Sequence, residues 1–208
     1  LIDKVYRITI LSDVAAVLVV YIARWMRTLP TDDRKKVGAL MALCGLNIIF
    51  WGCYEQQGNT MQLWADQNTN WKILGWTMPS TWYQSFNPIM IFAFAPLLSM
   101  FWAWQTKRGK EPDSVQKMAI GCFLLGLSYV IMIVAAQGLT PETRRHVMWL
   151  ASTTFVITIG ELFLSPIGLS LVTKVSPPRM VSMMMGVWFL SSFFGNYLSG
   201  YLGTYWEK

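Results

Sequence analysis

A single carboxylate, Glu161, lies in the middle of an apolar run, in the stretch GELFLSPIGLS at residues 160–170. It is the only acidic residue between positions 146 and 172. Moving a charged side chain to the centre of a bilayer helix costs about 2.5–3.5 kcal/mol on insertion scales. No predicted span of the chain carries a mid-span Lys or Arg that could pair with it. We therefore expect Glu161 to be protonated, paired with a group outside this chain, or facing water and a cationic ligand, and each of these indicates a function.

The same run contains a hydroxyl and two residues that disturb a helix. Ser165 follows Glu161 by four residues, which places both side chains on one helix face. Pro166 follows Ser165 at once, and Gly168 comes two residues later. A helix with this composition is not expected to face lipid.

Two further stretches hold polar residues beside apolar runs. Trp51 and Glu55 are four residues apart, and Glu55 either acts in a site or marks the exit of the helix into water. Asn87 precedes Pro88, which is compatible with ligand binding or with a helix cap followed by proline at the first helical position. Pro96 lies inside the next apolar run, where proline removes a helical hydrogen bond and suits a helix that lines a cavity.

Small residues recur every fourth position near the end of the chain. Such a stripe lets two helices approach closely in a membrane, so we predict that it serves packing rather than chemistry. Its members are Ser191, Gly195, Ser199 and Gly203. Trp188 lies near one end of the stripe and could belong to the packed core or to a pocket wall.

The composition indicates an integral membrane protein. Of the 208 residues, 54% are hydrophobic and 13% are charged, against about 25% charged in a soluble domain. The net charge is +6, but the basic residues cluster at the ends of apolar runs, which argues against nucleic-acid binding. The three cysteines lie in apolar runs without metal-ligand spacing.

Six apolar runs are long enough to be considered as transmembrane helices, since a bilayer core needs about 20 residues. They are residues 8–23, 37–54, 88–105, 118–136, 146–172 and 180–203, of which the first is short and contains Asp13. Loops 24–36, 106–117 and 173–179 hold eleven Lys and Arg, whereas the alternate loops and the carboxyl end hold four. The first set is therefore predicted to be cytoplasmic, with both ends of the chain outside.

The loop 58–82 is polar and rich in tryptophan. Tryptophan rings are favoured at a membrane–water interface, so we expect this loop to lie on the outer membrane surface. The four tryptophans concerned are Trp64, Trp71, Trp76 and Trp82.

Four motifs resemble the carboxyl-terminal half of the proton-dependent oligopeptide transporters, a family of the major facilitator superfamily. They are FWGCYEQQGNTMQLWAD (50–66), FNPIMI (86–91), GELFLSPIGLSLVTKVSPPRM (160–180) and MGVWFLSSFFGNYLSG (185–200). The resemblance implies an all-α integral membrane fold of the major facilitator type, of which this chain is a fragment of the C-terminal helix bundle. Residues 1–30 resemble an inter-bundle linker with an inserted transmembrane helix, as in bacterial members. Residues 31–208 resemble helices seven to eleven.

The resemblance also implies roles for individual residues. Glu161 matches the acid that holds the amino terminus of a peptide, assisted by Asn87. Trp51 and Trp188 match aromatic walls of the side-chain pocket, and Glu55 matches a carboxylate that pairs with an arginine of the other bundle in the outer gate. Two serines are weaker candidates for substrate binding, Ser165 and Ser192.

The implied function is proton-coupled symport of di- and tripeptides by alternating access, in the inner cell membrane as a multi-pass protein. Protons are the coupling ion, and no other cofactor is expected. The expected partners are the peptide, the lipid bilayer and an N-terminal bundle absent from this chain. The chain begins without methionine and has no counterpart of a twelfth helix, so it is expected to be a fragment holding half of a binding site.

Three alternatives remain open at this point. A transporter of the same family could carry nitrate or another small molecule, although an acid at position 161 favours an ammonium over an anion. An intramembrane enzyme would need a nucleophile, metal-ligand or cofactor motif near Glu161, and HExxH, GxSxG and Rossmann signatures are absent. A channel would be expected to repeat polar rings along its helices.

Overall fold

The fold consists of long helices joined by short, ordered connections. The computed structural model describes residues 13, 16–17, 20–73, 75–140 and 143–206. Residues 20–27 are helical, and most of the predicted span 8–23 lies outside the described residues. The helices that follow are α1 (Thr31–Tyr54), α2 (Thr60–Asn68), α3 (Phe86–Lys107), α4 (Ser114–Ala136), α5 (Met148–Val175) and α6 (Val181–Gly203). The predicted runs 37–54, 88–105, 118–136, 146–172 and 180–203 are thus confirmed as helices, with ends shifted by a few residues.

Four helical segments of the described chain are long and apolar enough to cross a membrane. They are Thr31–Asn68, Ser80–Lys107, Ser114–Ala136 and Met148–Val175. Helix α6 has no charged residue but does not reach the same hydropathy, because serine, glycine, asparagine and tyrosine interrupt its apolar residues. Its crossing of the membrane stays a prediction.

Helices α4 and α5 form the most extensive helix pair and cross at two glycines. A Cβ atom on Gly121 would lie 2.7 Å from the carbonyl oxygen of Gly160, and one on Gly160 would lie 2.9 Å from the carbonyl oxygen of Gly121. The two backbones therefore touch, which only glycine permits. Because Gly160 precedes Glu161, this crossing fixes the depth and rotation of the carboxylate.

Helices α1 and α6 make the second extensive pair, and the predicted stripe of small residues lies between them. A Cβ atom on Gly195 would lie 2.5 Å from Cβ of Trp51 and 2.9 Å from the carbonyl oxygen of Ile48. Ser191 and Ser199 on the same stripe are buried. The prediction that the stripe serves packing is confirmed.

Polar side chains of α1 and the segment after it add hydrogen bonds to this contact. Nδ2 of Asn47 donates to Oγ of Ser191 at 2.9 Å, and Nε2 of Gln56 donates to the carbonyl oxygen of Ser199 at 3.0 Å. Asn59 donates to the same carbonyl at 3.2 Å. The bonds of Gln56 and Asn59 link the segment after α1 to the last turns of α6, so the residues after Tyr54 have a defined position.

The segment between α1 and α3 is ordered. After a 3-10 turn (Glu55–Gly58) and α2 come strands β1 (Thr69–Asn70), β2 (Lys72–Ile73) and β3 (Trp76–Thr77), and a second 3-10 turn (Ser80–Ser85). Strands β2 and β3 form an antiparallel hairpin, whose turn contains Gly75 at φ +85°. Strand β1 pairs in parallel with β4 (Arg145–His146), so the loops after α1 and after α4 meet at one end of the bundle. This agrees with the prediction that these two loops share one side of the membrane, and the rest of the predicted alternation stays a prediction.

The prediction of four interfacial tryptophans is wrong for two of them. Trp64, on α2, and Trp71 are buried, and Nε1 of Trp71 donates to the carbonyl oxygen of Ala65 at 3.0 Å, which holds the loop against α2. Trp76 and Trp82 are exposed, and their ring centroids are 5.5 Å apart. Only this exposed pair stays available for the predicted interface with lipid.

At the opposite end, the loop between α3 and α4 is held by side-chain contacts. Asp113 caps α4 in a capping box with Gln116. Glu111 pairs with Lys117, whose Nζ lies 4.6 Å from the ring centroid of Trp102. Hydrogen bonds from Lys117 and then Thr106 hold the pKa of the Glu111 carboxyl below its usual value. This well-ordered basic loop is the one we predict to be cytoplasmic.

The orientation can be tested by cysteine labelling. In full-length protein lacking Cys44, Cys53 and Cys122, we expect Lys110→Cys to resist an impermeant thiol reagent added outside, because loop 106–117 is predicted to be cytoplasmic. Lys72→Cys, on the exposed hairpin at the other end, is the matched control and should react. Labelling of position 110 but not of position 72 would reverse the predicted orientation.

Candidate functional site

Glu161 lies near the middle of α5 and is half-buried. One carboxylate oxygen, Oε2, accepts a hydrogen bond from the Tyr54 hydroxyl at 2.6 Å and another from Nδ2 of Asn87 at 3.1 Å. Tyr54 is the last residue of α1, and Asn87 is the second residue of α3. The end of α1, the start of α3 and the centre of α5 therefore converge on one carboxylate.

Asn87 does not cap its helix. Helix α3 begins at Phe86, one residue before Asn87, so the capping interpretation is wrong. Its amide instead lies within hydrogen-bond distance of the Tyr54 hydroxyl (3.0 Å), Oγ1 of Thr158 (3.2 Å) and Oε2 of Glu161 (3.1 Å). Two amide hydrogens serve these three acceptors, which makes Asn87 a hub between the three helices.

The other oxygen of Glu161 is available as an acceptor. Within the described residues, Oε1 accepts no hydrogen bond and Glu161 forms no ion pair. Buried or half-buried carboxylates are usually paired or fully hydrogen-bonded, because leaving them partly unsatisfied costs free energy. The arrangement is therefore a carboxylate with one oxygen held by the protein and one able to accept a bond from a cation or another donor.

Glu55 lies beside this group at the start of the 3-10 turn after α1. A cavity of about 200 Å³ is lined by Tyr54, Glu55 and Asn87, together with residues of the following turns. No basic side chain among the described residues forms an ion pair with Glu55. Glu55 thus shares this cavity with Tyr54 and Asn87, the two residues that donate to Glu161.

The two predicted aromatic residues have different surroundings. Trp51 is half-buried, and its ring lies 5.0 Å from the ring of Tyr54 at an interplanar angle of 75°. Trp188 is buried, and its ring covers Gly168 of α5, where a Cβ atom would clash with it. Trp51 therefore belongs to the group around Glu161, whereas Trp188 fills the contact between α5 and α6.

The two candidate serines are not part of the hydrogen-bonded group. Oγ of Ser192 accepts a bond from Asn47 at 3.2 Å, inside the contact between α1 and α6. Ser165 is half-buried one turn after Glu161, and its side chain makes no hydrogen bond within the described residues. Their roles in binding stay predictions.

Two members of the site were not predicted from the sequence, Tyr54 and Thr158. Thr158 precedes Glu161 by three residues, so the helical spacing places both on one face of α5. Tyr54 follows Trp51 by three residues on α1, but nothing in its neighbourhood in the sequence indicates that its hydroxyl reaches α5. The contact of Tyr54 with Glu161 across the bundle is a result of tertiary packing.

The whole chain is similar to known transporters. The family described as PTR2, POT family, matches residues 2–208. The chain belongs to the POT family. It is 33% identical to the peptide transporter YePEPT of Yersinia enterocolitica subsp. palearctica serotype O:3 (strain YE-P4), over 82% of this chain and 34% of that protein. It is 32% identical to the di-/tripeptide transporter of Lactococcus lactis subsp. cremoris, over 77% of this chain and 33% of that protein.

Solved structures of the POT family share the fold. A mutant of peptide transporter POT in complex with alafosfalin is 29% identical, with a TM-score of 0.82 over 91% of this chain and 39% of that chain. A POT family transporter in complex with 5-aminolevulinic acid is 30% identical, with a TM-score of 0.81 over 91% of this chain and 40% of that chain. The chain thus spans about a third of the length of the relatives that it matches.

Membership in the POT family confirms three predictions. The family resemblance is correct, the fold is of the major facilitator type, and the chain is part of a multi-pass membrane protein. The alternative of an intramembrane enzyme is contradicted, because POT family members are transporters.

Proposed function

We propose that this POT family chain is the carboxyl-terminal half of a symporter that couples di- or tripeptide uptake to protons. Residues 1–30 serve as an inter-bundle linker and residues 31–208 as the C-terminal bundle. The chain supplies half of the binding site, and the other half comes from a bundle outside this chain. The names of the relatives, which include peptide and di-/tripeptide transporters, support this proposal. The protein acts in the inner cell membrane by alternating access.

The observation that carries the proposal is the half-satisfied carboxylate of Glu161. Oε2 is held by Tyr54 and Asn87, while Oε1 is free among the described residues. A peptide ammonium has three donors and a positive charge, so it supplies both the hydrogen bond that Oε1 lacks and the counter-charge that the carboxylate lacks. In the ligand-free state, water in the cavity between the two bundles hydrates the carboxylate and lowers the cost of its depth in the membrane.

The same carboxylate argues against an anion such as nitrate as the transported solute. A negative ligand at Glu161 would meet a like charge at hydrogen-bond distance, which costs several kcal/mol across an interface. A peptide avoids this cost, because its ammonium approaches Glu161 while its carboxylate can contact the other bundle. Trp51, beside Tyr54, then forms a wall for a peptide side chain. Secondary candidates for contact with the peptide are Trp188, Ser165 and Ser192.

The direct test is uptake by the full-length protein in proteoliposomes. A labelled dipeptide should accumulate when the outside is more acidic than the inside, and should only equilibrate when the two pH values are equal. Labelled nitrate serves as the competing substrate. Accumulation of nitrate without accumulation of the dipeptide would contradict the proposal.

Glu55 is proposed to pair with an arginine of the other bundle in the outer gate, because no described residue of this chain forms an ion pair with it. We expect Glu55→Gln to impair proton-driven dipeptide uptake strongly, and to affect counterflow exchange without a gradient much less. The measurement compares both assays in the same proteoliposomes. Equal loss of driven uptake and exchange in Glu55→Gln would show that Glu55 has a structural or binding role instead.

A further inference from the structure

A second cavity lies at the start of α1, at the other end of that helix from Tyr54. It has a volume of about 540 Å³. One wall comes from the segment that precedes α1, and the other from the turn between α5 and α6 and the first residues of α6. We call it the linker cavity, and its large apolar side chains are Trp25, Leu29, Met180 and Met183. Loops 24–36 and 173–179, both predicted to be cytoplasmic, therefore meet at this cavity.

The walls of the linker cavity are built on rigid backbone. Three prolines line it, and each proline ring fixes its own backbone φ angle. They are Pro30, Pro177 and Pro178. The turn between α5 and α6 is closed by a hydrogen bond from the backbone nitrogen of Met180 to the carbonyl oxygen of Pro177 at 2.8 Å. The shape of the cavity is therefore set by the chain itself and does not need a ligand to form.

Two opposite charges line the same cavity without neutralising each other. They are the half-buried carboxylate of Asp33 and the exposed guanidinium of Arg179. Within the described part of the chain, neither side chain forms an ion pair or a hydrogen bond. An acid in the first turn of a helix also interacts favourably with the helix dipole. Asp32 already provides that interaction from outside the cavity, so the dipole alone does not explain why a second acid lines the cavity.

The combination of apolar walls with one acid and one base defines the chemistry of a ligand. The ligand needs an apolar chain, an anionic group for Arg179 and a cationic hydrogen-bond donor for Asp33. A phospholipid with a phosphoethanolamine head has all three, because an ethylene bridge joins its ammonium to its phosphate. The volume is within the usual range of ligand cavities, and Trp25 is of the residue type favoured at the boundary of a membrane.

Other common phospholipids match the two charges less well. The trimethylammonium of a phosphatidylcholine has no N–H group, so it cannot donate a hydrogen bond to Asp33. A phosphatidylglycerol has no cation, so its negative charge would pair with Arg179 and leave the carboxylate of Asp33 without a partner. The unpaired acid therefore favours the lipid with a primary ammonium.

We propose that the linker cavity binds one phosphatidylethanolamine of the inner leaflet. Its ammonium contacts Asp33, its phosphate contacts Arg179, and its upper acyl chain packs against Trp25, Leu29 and Met183. The lipid thereby bridges the segment before α1 and the turn between α5 and α6. This site is separate from Glu161, and it does not depend on which solute is transported.

The experiment is photo-crosslinking of the full-length protein in detergent with a phosphatidylethanolamine that carries a diazirine in one acyl chain. After digestion, we expect label in a peptide around Trp25 and in another around Met183, and this labelling should saturate as the lipid is titrated. Phe123, on α4, is 70% exposed and serves as the reference for non-specific contact with lipid. Equal, unsaturated labelling around Phe123 and at the cavity would overturn the proposal.

Substitution of the two charges tests the contacts with the head group. Asp33→Asn keeps the size of the side chain, and we expect half-maximal labelling to need about fivefold to tenfold more lipid, an effect between that of an exposed ion pair and that of a buried hydrogen bond to a charge. Arg179→Gln should have an effect of similar size. The matched controls are Asp32→Asn and Arg34→Gln, which change exposed neighbours of Asp33 outside the cavity and should leave labelling unchanged. Equal effects in the controls would assign the loss to the start of α1 and contradict the proposal.

Competition by unlabelled lipids tests the identity of the ligand. Phosphatidylcholine should compete about fivefold to tenfold more weakly than phosphatidylethanolamine in the wild type, and equally well in Asp33→Asn. Stronger competition by phosphatidylglycerol would show that the cavity selects for negative charge, which contradicts the proposal. Glycerophosphoethanolamine, which has the head group without the chains, should not compete. If it competes as well as the lipid, the apolar wall contributes nothing and the proposed lipid site is wrong.

Discussion

Glu161→Gln in the full-length protein is expected to weaken dipeptide binding by a factor between about 30 and several thousand, the usual cost of removing one partner from a desolvated charge pair. Glutamine preserves the size of the side chain, and its carbonyl oxygen can still accept from Tyr54 and Asn87. The variant should therefore fold and insert like the wild type. The lost quantity is the attraction between the free oxygen and the peptide ammonium, measured as the change in Kd.

An N-acetylated dipeptide tests whether the carboxylate recognises the amino terminus. Acetylation removes the ammonium, so the wild type should bind this ligand poorly and Glu161→Gln should cause little further loss. Equal weakening of both ligands by the substitution would mean that Glu161 does not contact the peptide amino terminus. Asn87→Asp replaces the amide that donates to Oε2 by a carboxylate and leaves Glu161 in place. We expect it to disturb the hydrogen bonds around Glu161, but not to reproduce the selective loss of binding of the free dipeptide over the N-acetylated one.

The helices and their order were largely predictable from the sequence. Each depends on an apolar run of fixed minimum length, and the run at 118–136 needed only the capping box at Asp113 to set its true start. Close packing of α6 against another helix was also predictable, because a four-residue spacing of small residues has one principal explanation in a membrane, whereas the partner, α1, was not. Local composition therefore carried most of the fold.

The surroundings of Glu161 were predictable only in part. Its depth in an apolar helix and the absence of a basic partner can be read from the sequence, and Asn87 was connected to it by family resemblance. The contact of the Tyr54 hydroxyl with Glu161 could not be predicted, because a tyrosine at the end of an apolar run usually lies at the membrane interface. That tyrosine reaches Glu161 because α1 and α5 are brought together by their contacts with α6 and α4, which local pattern does not encode.

The buried tryptophans illustrate the same limit. Composition favours the interface for all four tryptophans of loop 58–82, since it cannot distinguish a ring that faces lipid from one that covers a short helix. The distinction comes from tertiary packing. The indole of Trp71 donates to the carbonyl oxygen of Ala65 inside the loop, whereas Trp76 and Trp82 remain exposed.

The crossing of α4 and α5 at Gly121 and Gly160 links the fold to the site, so a substitution there should affect both. We expect Gly121→Ala to destabilise the full-length protein, because its Cβ would lie 2.7 Å from the carbonyl oxygen of Gly160 and 3.2 Å from Cβ of Leu164. Backbone atoms cannot rotate away as a flexible side chain can, so α4 and α5 must separate. Overpacking of this kind typically costs about 1–3 kcal/mol.

The same separation should reach the ligand site. Glu161 follows Gly160 directly, while its donors Tyr54 and Asn87 belong to α1 and α3, so a shift of α5 against the other helices lengthens the 2.6 Å and 3.1 Å hydrogen bonds. Gly121→Ala should therefore lower the Tm of the full-length protein in detergent and also raise the Kd for a dipeptide. Gly126→Ala is the control on the same helix, since its Cβ would meet no atom within 4 Å. Alanine is the better helix former by roughly 0.5–1 kcal/mol, so this control should match or exceed the wild-type Tm. If the two alanine variants unfold at the same temperature, the glycine contact does not set the spacing of α4 and α5, and the position of Glu161 must be fixed by other contacts.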